Sequence, residues 1–430
     1  MSPLTTTDQR PSGLATSLAV TILLTGFVAA TYGFGFYLFA QLVPDMRRDL
    51  GFGYAAVGTI TAAAQCGFLG FAVLGGWLSA RIGGGLVVIG SAALCGLCLL
   101  LLSAVQAVPV LAALLIIIGG TAASVYVPMI ELVGGVIPHQ HRGKVLGLVS
   151  SGTSYGVFLN SLLVPRFLTG DDWRGVWLTV GAITLALAGA GAVTFRHIGL
   201  LTSTVRSGTK DASVQGPASK LLVLWVVLIW VMTFLNGLSM LPFQNYLSPY
   251  LREELGFSVE FAADVWATLG IIGMVAGFAV GWISDKAGVR FALVLSYACV
   301  ATSAAILVMA PIGVLPVVAG VLFAFAFYPV FGLIPAYVSK VTDGRTSTRV
   351  FAIANVTLGV GGICGNFGAG LLKNVTGSFV EIYVVVAILA IGLIGASLML
   401  PGEGGRLAAT NSDRRSPDGL PESGRNAGTV

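Results

Sequence analysis

The sequence is short of charge. Only 10% of its 430 residues are Asp, Glu, Lys or Arg, whereas an ordinary soluble domain carries about 25%. With 23 basic and 18 acidic residues, the chain cannot coat the surface of a soluble protein of this size, so it is not a soluble cytosolic enzyme. A hydrophobic fraction of 56% excludes an intrinsically disordered chain, and the 58 glycines show no collagen period.

The chain also lacks the usual catalytic and metal-binding motifs. It has three histidines, and its five cysteines all lie in apolar runs, where a free cysteine behaves as a small hydrophobe. Cys95 and Cys98 have the spacing of a redox pair but no histidine nearby, which favours packing. No phosphate-binding loop, zinc helix or nucleophile elbow occurs. We therefore expect no disulfides, cofactor, metal or enzyme activity.

Long apolar runs dominate the rest of the sequence. A helix that crosses a bilayer core of about 30 Å needs about 20 apolar residues. Twelve runs come near this length, at about 18–44, 54–79, 85–105, 108–137, 145–169, 175–195, 221–251, 261–283, 291–310, 313–339, 349–372 and 378–400. The sequence thus predicts an all-α polytopic membrane protein with twelve transmembrane helices.

Polar segments divide these runs into domains. The stretch 196–220 is the one long polar interruption and reads as a flexible linker between six helices and six. We predict a cytoplasmic N-terminal tail over 1–17, a six-helix bundle over 18–195, this linker, a second bundle over 221–400 and a disordered cytoplasmic tail over 401–430.

The basic residues predict the orientation. With the N-terminus inside, seventeen of the 23 Lys and Arg residues fall on inner segments, as the positive-inside rule requires. The six on outer segments are Arg47, Arg48, Arg166, Arg174, Arg252 and Lys373. Both termini are therefore expected in the cytoplasm.

Two stretches repeat at a constant spacing. Residues 44–52 (PDMRRDLGF) align with 249–257 (PYLREELGF), and 76–83 (GWLSARIG) align with 281–288 (GWISDKAG), each 205 positions apart. The same offset pairs Val145 with Val350, each directly after a basic residue. A gap-free offset over three loops indicates two parallel repeats, related by an axis along the membrane normal.

One of these copies carries a family signature. Residues 281–290 resemble the pattern G-x-x-x-D-[RK]-x-G-[RK]-[RK] of the major facilitator superfamily, found between helices 8 and 9. The matching residues are Gly281, Asp285, Lys286, Gly288 and Arg290. The resemblance extends over about 18–400 and implies two pseudo-symmetric six-helix bundles that rock about a central site, with no particular substrate.

The other copy, between helices 2 and 3, is degraded. Gly76, Arg81 and Gly83 fit the pattern, but Ala80 stands in place of the acidic residue. The resemblance implies that helices 2 and 11, and 5 and 8, touch across the bundles. Close approach there needs small residues, which helices 8 and 5 supply at Gly273, Gly277 and Gly281, and at Gly152 and Gly156.

The intact motif suggests a gate. If helix 8 packs on helix 5, Asp285 approaches the N-terminus of helix 5, where an anion is stabilised by about 0.3–1 kcal/mol. Because residue 80 is Ala, we expect the inner gate to be held mainly on the helix 5/8 side. The predicted gating residues are Gly76, Arg81, Gly83, Gly281, Asp285, Lys286, Gly288 and Arg290.

Glu131 is the one acidic residue well inside a predicted span. Ionisable residues in the membrane are functional by default. Glu131 has three interpretations: a proton carrier, a structural partner of Arg81, or a side chain that reaches water. The sequence does not decide among them.

Polar side chains near mid-depth are the substrate-path candidates. They are Tyr32, Gln65, Tyr126, Asn236 and Tyr328 in predicted helices 1, 2, 4, 7 and 10, with Gln244 beside Pro242 in helix 7, and Asn160 and Asn355. Each could equally make a helix–helix hydrogen bond. No Lys or Arg lies well inside a span, which favours a small neutral, aromatic or weakly acidic solute over a strong anion.

The sequence thus predicts a secondary active transporter that moves a small organic solute by alternating access, with protons as the coupling ion. The alternatives are an exporter of drugs or metabolites by proton antiport, and a non-transporting membrane sensor on the same scaffold. We expect a monomer in the plasma membrane, specifically a bacterial inner membrane, in contact with the lipid bilayer and with no nucleic-acid partner.

Overall fold

The computed structural model describes residues 13–201, 224–341 and 344–402, so most of the predicted tails and linker lie outside the described residues. Twelve helical spans follow one another along the chain. They are α1 (Leu14–Val28, Ala29–Tyr37 and Leu38–Leu50), α2 (Tyr54–Ile82), α3 (Gly84–Leu102), α4 (Val108–Val136), α5 (Arg142–Ser150 and Gly152–Leu168), α6 (Trp173–His197), α7 (Leu224–Asn245), α8 (Val259–Ala287), α9 (Val289–Val308), α10 (Leu315–Val341), α11 (Gly344–Thr376) and α12 (Val380–Met399). Two short helical pieces, Leu247–Pro249 and Tyr250–Glu254, follow α7. The prediction of an all-α membrane protein is confirmed.

Within the described residues, eleven of these spans are continuous and are long and apolar enough to cross a membrane. The remaining one, α5, is interrupted at Ser151, whose hydroxyl donates to the carbonyl of Leu148 at 2.7 Å and so competes with the helical hydrogen bonds. Its two pieces together cover 142–168, which is long enough to span a core of about 30 Å at about 1.5 Å per residue.

Part of α1 and a short segment after α7 are π-helical. In α1 the π-helix covers Ala29–Tyr37, and after α7 it covers Tyr250–Glu254. Stretches of this kind are rare and are found frequently at functional sites. Both lie on helices that, in the family the sequence resembles, line the central cavity.

The two repeats agree in backbone conformation. Gly51 and Gly256, 205 positions apart, have φ of 70° and 72°, and Gly83 and Gly288 have φ of 99° and 89°. Only glycine adopts such angles without strain. Each repeat therefore makes the same turns after its first and second helices, as the repeated motifs predict.

The most extensive contacts between the halves are made by two pairs of helices, α2 with α11 and α5 with α8. This is the pairing that the family resemblance implies. Away from these contacts, large apolar side chains such as Val73, Phe278 and Ile388 are exposed. A surface of this composition suits lipid rather than water.

Candidate functional site

The two ends of the bundle are closed to different extents. We call the end with the turns at Gly83 and Gly288 the termini face, since the first and last described residues lie there. The opposite end, with the turns at Gly51 and Gly256, is the distal face.

Ion pairs join the halves at the distal face. Arg252, after α7, donates two hydrogen bonds to the Asp45 carboxylate of α1, at 2.6 and 2.8 Å. Arg47 of α1 donates to Glu253 at 2.9 Å. Only 7% of Asp45 and 9% of the Arg252 side chain are exposed. Charges this buried are retained when paired and hydrogen-bonded.

Close helix packing continues below these ion pairs. A Cβ atom at Gly58 of α2 would lie 2.6 Å from the carbonyl oxygen of Asn366 and 2.9 Å from Cα of Gly370, both on α11. The ring of Tyr54 also lies 6.2 Å from that of Tyr246. The distal half of the interface is therefore closed.

The same interface is open towards the termini face. On α8, a Cβ atom at Gly270 would lie 2.8 Å from Phe158, and one at Gly273 would lie 2.5 Å from Ser154 Oγ. One and two turns further on, Gly277 and Gly281 have nothing within 4 Å of that position. Because these glycines share one face of α8, the loss of contact marks a gap between α8 and α5.

The helix 5 glycines that were predicted to contact α8 face α1 instead. Gly152 and Gly156 pack against α1, where a Cβ atom at Gly156 would lie 2.7 Å from Cα of Gly33. They set the close approach of α5 to the π-helical part of α1, within the N-terminal half. This expectation was wrong, because sequence spacing does not tell which neighbouring helix a small residue faces.

Aromatic rings of the N-terminal half line the space between the halves. Tyr32 lies edge-to-face with Tyr126 and with Phe68, with ring centroids 6.1 Å apart in each case. Phe36 lies 6.1 Å from Phe68 and lines a small pocket that also includes Asn245 of α7. Tyr32, Phe36 and Phe68 are half-buried, and Tyr126 is exposed.

The C-terminal half supplies rings from α10. Tyr37 of α1 meets Phe327 edge-to-face at 6.4 Å, and Phe327 contacts both Tyr328 and Phe331 at 5.1 Å. Phe327 is buried, whereas Phe331, one turn closer to the termini face, is 40% exposed. Since residues i and i+4 share a helix face, Phe331 faces the opening between the halves.

Polar candidates border this aromatic surface. Gln65 of α2 reaches towards α11, with its Cγ 3.5 Å from a Cβ position at Gly362, and makes no hydrogen bond within the described residues. Asn236 donates to the Tyr297 hydroxyl at 3.0 Å, and its side-chain amide oxygen has no partner among the described residues. Within the same residues, both amide atoms of the buried Gln244 also lack a partner. These buried amides keep unused hydrogen-bonding capacity.

Three further candidates make structural contacts. Asn160 is fully buried and donates to the Gly33 carbonyl at 2.7 Å, which ties α5 to the π-helix. Tyr328 packs beside Gly273 and Ser154, at the contact of the halves. Asn355 is exposed and donates to the carbonyl of Phe351 on its own helix.

Glu131 is exposed towards the termini face and accepts a long hydrogen bond of 3.5 Å from Ser79. Arg81 does not pair with it: the guanidinium lies over the Trp77 ring, 4.0 Å from its centroid. Lys286 lies over Trp282 in the same way at 3.9 Å. The two cation–ring pairs are repeat equivalents, so the degraded motif keeps this contact.

The remaining gating residues have local roles in this conformation. Gly83 and Gly288 make the turns after α2 and α8, and Arg290 donates to the carbonyl of Leu398. Asp285 is exposed and has no hydrogen bond or ion pair to any described residue. It does not reach the start of α5, because the halves are apart at the termini face. A Cβ atom at Gly76 would lie 3.7 Å from the side chain of Val127, which is an ordinary contact distance.

Sequence reasoning missed the distal ion pairs and the phenylalanines of the aromatic surface. The charges lie in the repeated stretches 44–52 and 249–257. One signal in the sequence is a change of charge between aligned positions, since Arg48 in the first repeat corresponds to Glu253 in the second. Phe36, Phe68 and Phe327 carry no such signal, because apolar residues are expected throughout a membrane span.

Comparisons with known proteins agree with this architecture. The chain is 28% identical over 275 residues to monocarboxylate transporter 13 of Rattus norvegicus, a match over 61% of this chain and 60% of that protein. It is 24% identical over 312 residues to the gallate transporter of Pseudomonas putida, over 64% and 66% respectively. A probable sulfoacetate transporter of Cupriavidus necator is 22% identical over 254 residues, over 56% and 59%. The chain thus spans less than two thirds of the length of each of these relatives.

A solved structure shares the fold. The crystal structure of a nucleoside transporter superposes with a TM-score of 0.71 at 12% sequence identity, over 89% of this chain and 100% of that one. The sequence model of the Major Facilitator Superfamily matches residues 25–366. This family consists of transporters, so the prediction that the chain is not an enzyme is confirmed. The chain belongs to the Major Facilitator Superfamily.

Proposed function

We propose that the protein transports a small organic acid, with an aromatic acid as the preferred substrate, by alternating access. The observation that supports this most directly is the aromatic surface shared by both halves, joined at the Tyr37–Phe327 contact. Flat apolar walls with a few fixed polar groups are typical of sites for small organic ligands.

The polar groups at this surface suit a weak acid. Gln65 and Gln244 offer amide donors without partners among the described residues, and tyrosine hydroxyls lie on both sides. No described Lys or Arg lies at the level of Tyr32 and Tyr328. Neutral donors hold a single carboxylate, whereas a phosphate ester calls for a fixed cation. The names of three relatives, which refer to monocarboxylates, gallate and sulfoacetate, support an organic anion.

The test is uptake by the purified protein in proteoliposomes. Radiolabelled gallate, benzoate, lactate and sulfoacetate are offered, with uridine and glucose as non-acidic solutes. We expect saturable uptake of at least one acid, fastest for an aromatic one, with a raised KM in a Tyr32→Ala variant. The matched control is Asn355→Ala, since Asn355 bonds only to its own helix. Uptake of uridine or glucose with none of the acids would contradict the proposal.

We also propose that a proton accompanies the acid, with Glu131 as its carrier. Glu131 is an acidic side chain exposed towards the termini face, where the halves are apart. A proton carrier must bind and release its proton in each cycle, so Glu131→Gln should abolish accumulation driven by a pH gradient. Exchange of internal for external substrate at equal pH should persist. Gradient-driven accumulation that survives this substitution would exclude Glu131 as the carrier.

A further inference from the structure

A small pocket lies beside the Asp45–Arg252 ion pair, with Arg252 in its wall. Its polar lining comes from Gln41 of α1 and from Ser248 and Arg252 of the segment after α7, so both halves contribute. Ser248 Oγ accepts a hydrogen bond from the Trp266 indole at 2.8 Å, which leaves its own proton available to another partner. The pocket thus presents three side chains that can donate hydrogen bonds, and the rest of its lining is Val and Ala.

Gln41 is the unusual residue of this pocket. Its side chain is only 2% exposed, yet neither its amide nitrogen nor its amide oxygen has a hydrogen-bond partner among the described residues. Leaving a buried polar group unsatisfied costs about 1–3 kcal/mol. A group of this kind in a native protein therefore calls for an explanation, such as a function or a bound water or ion.

The pocket lies on a path into the central cavity. Asp45, Gln41 and Tyr37 are spaced four residues apart on α1 and therefore share one face of the helix. Asp45 is at the distal ion pair, and Tyr37 is at the aromatic contact with Phe327. A solute that moved along this face would pass from Arg252 to Gln41 and then to the aromatic rings.

We propose that Arg252, Gln41 and Ser248 form a capture subsite for the carboxylate of the substrate when the distal face is open. This inference rests on the proposed function. In the conformation described here, the Asp45 carboxylate takes the place of the substrate carboxylate on Arg252, with the two-point geometry in which guanidinium binds carboxylates most strongly. Asp45 is then an internal competitor, and opening of the distal face exchanges one carboxylate for the other.

A simple latch makes a different prediction from a capture subsite. If the ion pair only holds the halves together, loss of either partner opens the distal face, and both changes shift the KM in the same direction. If Arg252 also binds the substrate, loss of Arg252 weakens substrate binding while loss of Asp45 removes its competitor. The two substitutions then shift the KM in opposite directions.

The experiment measures initial rates with the labelled acid that the wild type carries fastest among gallate, benzoate, lactate and sulfoacetate. Intact cells and inside-out vesicles present the two faces separately. For uptake from the distal face, we expect Arg252→Gln to raise the KM tenfold or more and Asp45→Asn to lower it severalfold. Arg252→Lys, which keeps the charge but loses the two-point geometry, should fall between wild type and Arg252→Gln. From the termini face, each KM should change less than twofold.

Two controls separate the explanations. Arg166→Gln removes an exposed arginine at the distal end of α5 and should leave the KM unchanged. The double variant Asp45→Arg with Arg252→Asp restores an ion pair with the charges exchanged. A latch predicts recovery of the wild-type KM, and a capture subsite predicts a KM that stays raised.

The outcomes also separate this inference from the proposed function. Suppose that the wild type carries an acid. The subsite alone would then be overturned if Arg252→Gln and Asp45→Asn shifted the KM in the same direction, or if the double variant recovered the wild-type KM. A wild type that carries no acid would overturn the proposed function and the subsite together. The thermal unfolding temperature of each purified variant checks that a raised KM does not arise from misfolding.

Discussion

Arg252 and Asp45 form a two-point ion pair across the boundary between the two halves, with both side chains more than nine-tenths buried. The repeat equivalent of Arg252 is Arg47, which pairs with Glu253 across the same boundary. A cation of each half thus lies against an anion of the other, although the two anions are not repeat equivalents. Opening of the distal face must break both pairs.

We predict that removal of one partner opens the distal face. Loss of one member of a buried ion pair costs about 3–5 kcal/mol, because the other charge is left buried and unpaired. Opening relieves this cost by admitting water. In a background without the native cysteines, Ser248→Cys should react severalfold faster with a hydrophilic thiol reagent when Asp45→Asn or Arg252→Gln is added. Unchanged labelling in both variants would show that other contacts hold this face closed.

Two glycines should respond in opposite ways to a large side chain. Gly58 touches α11 in the closed distal half, whereas Gly277 faces open space in the gap near the termini face. Gly58→Leu should disfavour the conformation in which the distal face is closed. Gly277→Leu should block closure of the termini face and so disfavour the conformation in which the distal face is open. Both variants should abolish transport, but Gly58→Leu should raise the labelling of Ser248→Cys and Gly277→Leu should lower it. Labelling that changes in the same direction would contradict this rocking geometry.

The ring of Tyr32, rather than its hydroxyl, should matter for an aromatic substrate. One aromatic ring contact contributes about 0.5–1.5 kcal/mol beyond the area it buries, and 1.4 kcal/mol corresponds to about tenfold in affinity. We expect Tyr32→Ala to raise the KM for an aromatic acid by about 2- to 10-fold, and Tyr32→Phe to change it little. A similar KM increase in both variants would instead assign the contact to the hydroxyl.

Asn160 should act on stability rather than on substrate. Its amide donates to the Gly33 carbonyl inside the protein, and loss of the donor leaves a buried carbonyl unsatisfied, at a cost of about 1–3 kcal/mol. Asn160→Ala should lower the thermal unfolding temperature in detergent, whereas Asn355→Ala, at an exposed position, should not. A raised KM with an unchanged unfolding temperature would restore Asn160 as a substrate contact.

Glu254 should make the distal end of the C-terminal half sensitive to acid. Burial raises the pKa of Glu254, but hydrogen bonds from Ser378, the backbone N–H of Phe379 and Lys373 outweigh this and leave it below the ordinary value. Because the folded-state pKa is lowered, the carboxylate stabilises the fold above its unfolded-state pKa. That contribution is lost as the pH falls through the folded-state pKa.

The comparison of wild type with Glu254→Gln measures this contribution. At pH 7 the variant should unfold several degrees below the wild type. The difference should shrink as the pH is lowered below about 4, near the ordinary pKa of glutamate. A difference that stays constant with pH would mean that the carboxylate's charge contributes nothing. The matched control is Glu381→Gln, which removes a nearby acid for which the structure gives a single side-chain contact, from Thr376.

Much of the fold could be predicted from local features of the sequence. The length of each apolar run sets whether a helix can cross a bilayer, and turns such as those at Gly83 and Gly288 recur in both repeats because the same motif stands before each. Of the site, Tyr32, Tyr126 and Tyr328 could be placed by their depth along a helix, since each residue rises about 1.5 Å.

Contacts between distant residues could not be read in the same way. The side of a helix that Gly156 or Asn160 faces depends on which neighbour packs against it, and these sequences do not specify that neighbour. The sequence by itself determined the membrane class, the number of spans and the parallel repeat, because these follow from hydrophobicity and from repeated turns. Only the tertiary structure decided that the distal face is closed and the termini face open, and that Arg252 meets Asp45, because these depend on how two separately folded bundles tilt against each other.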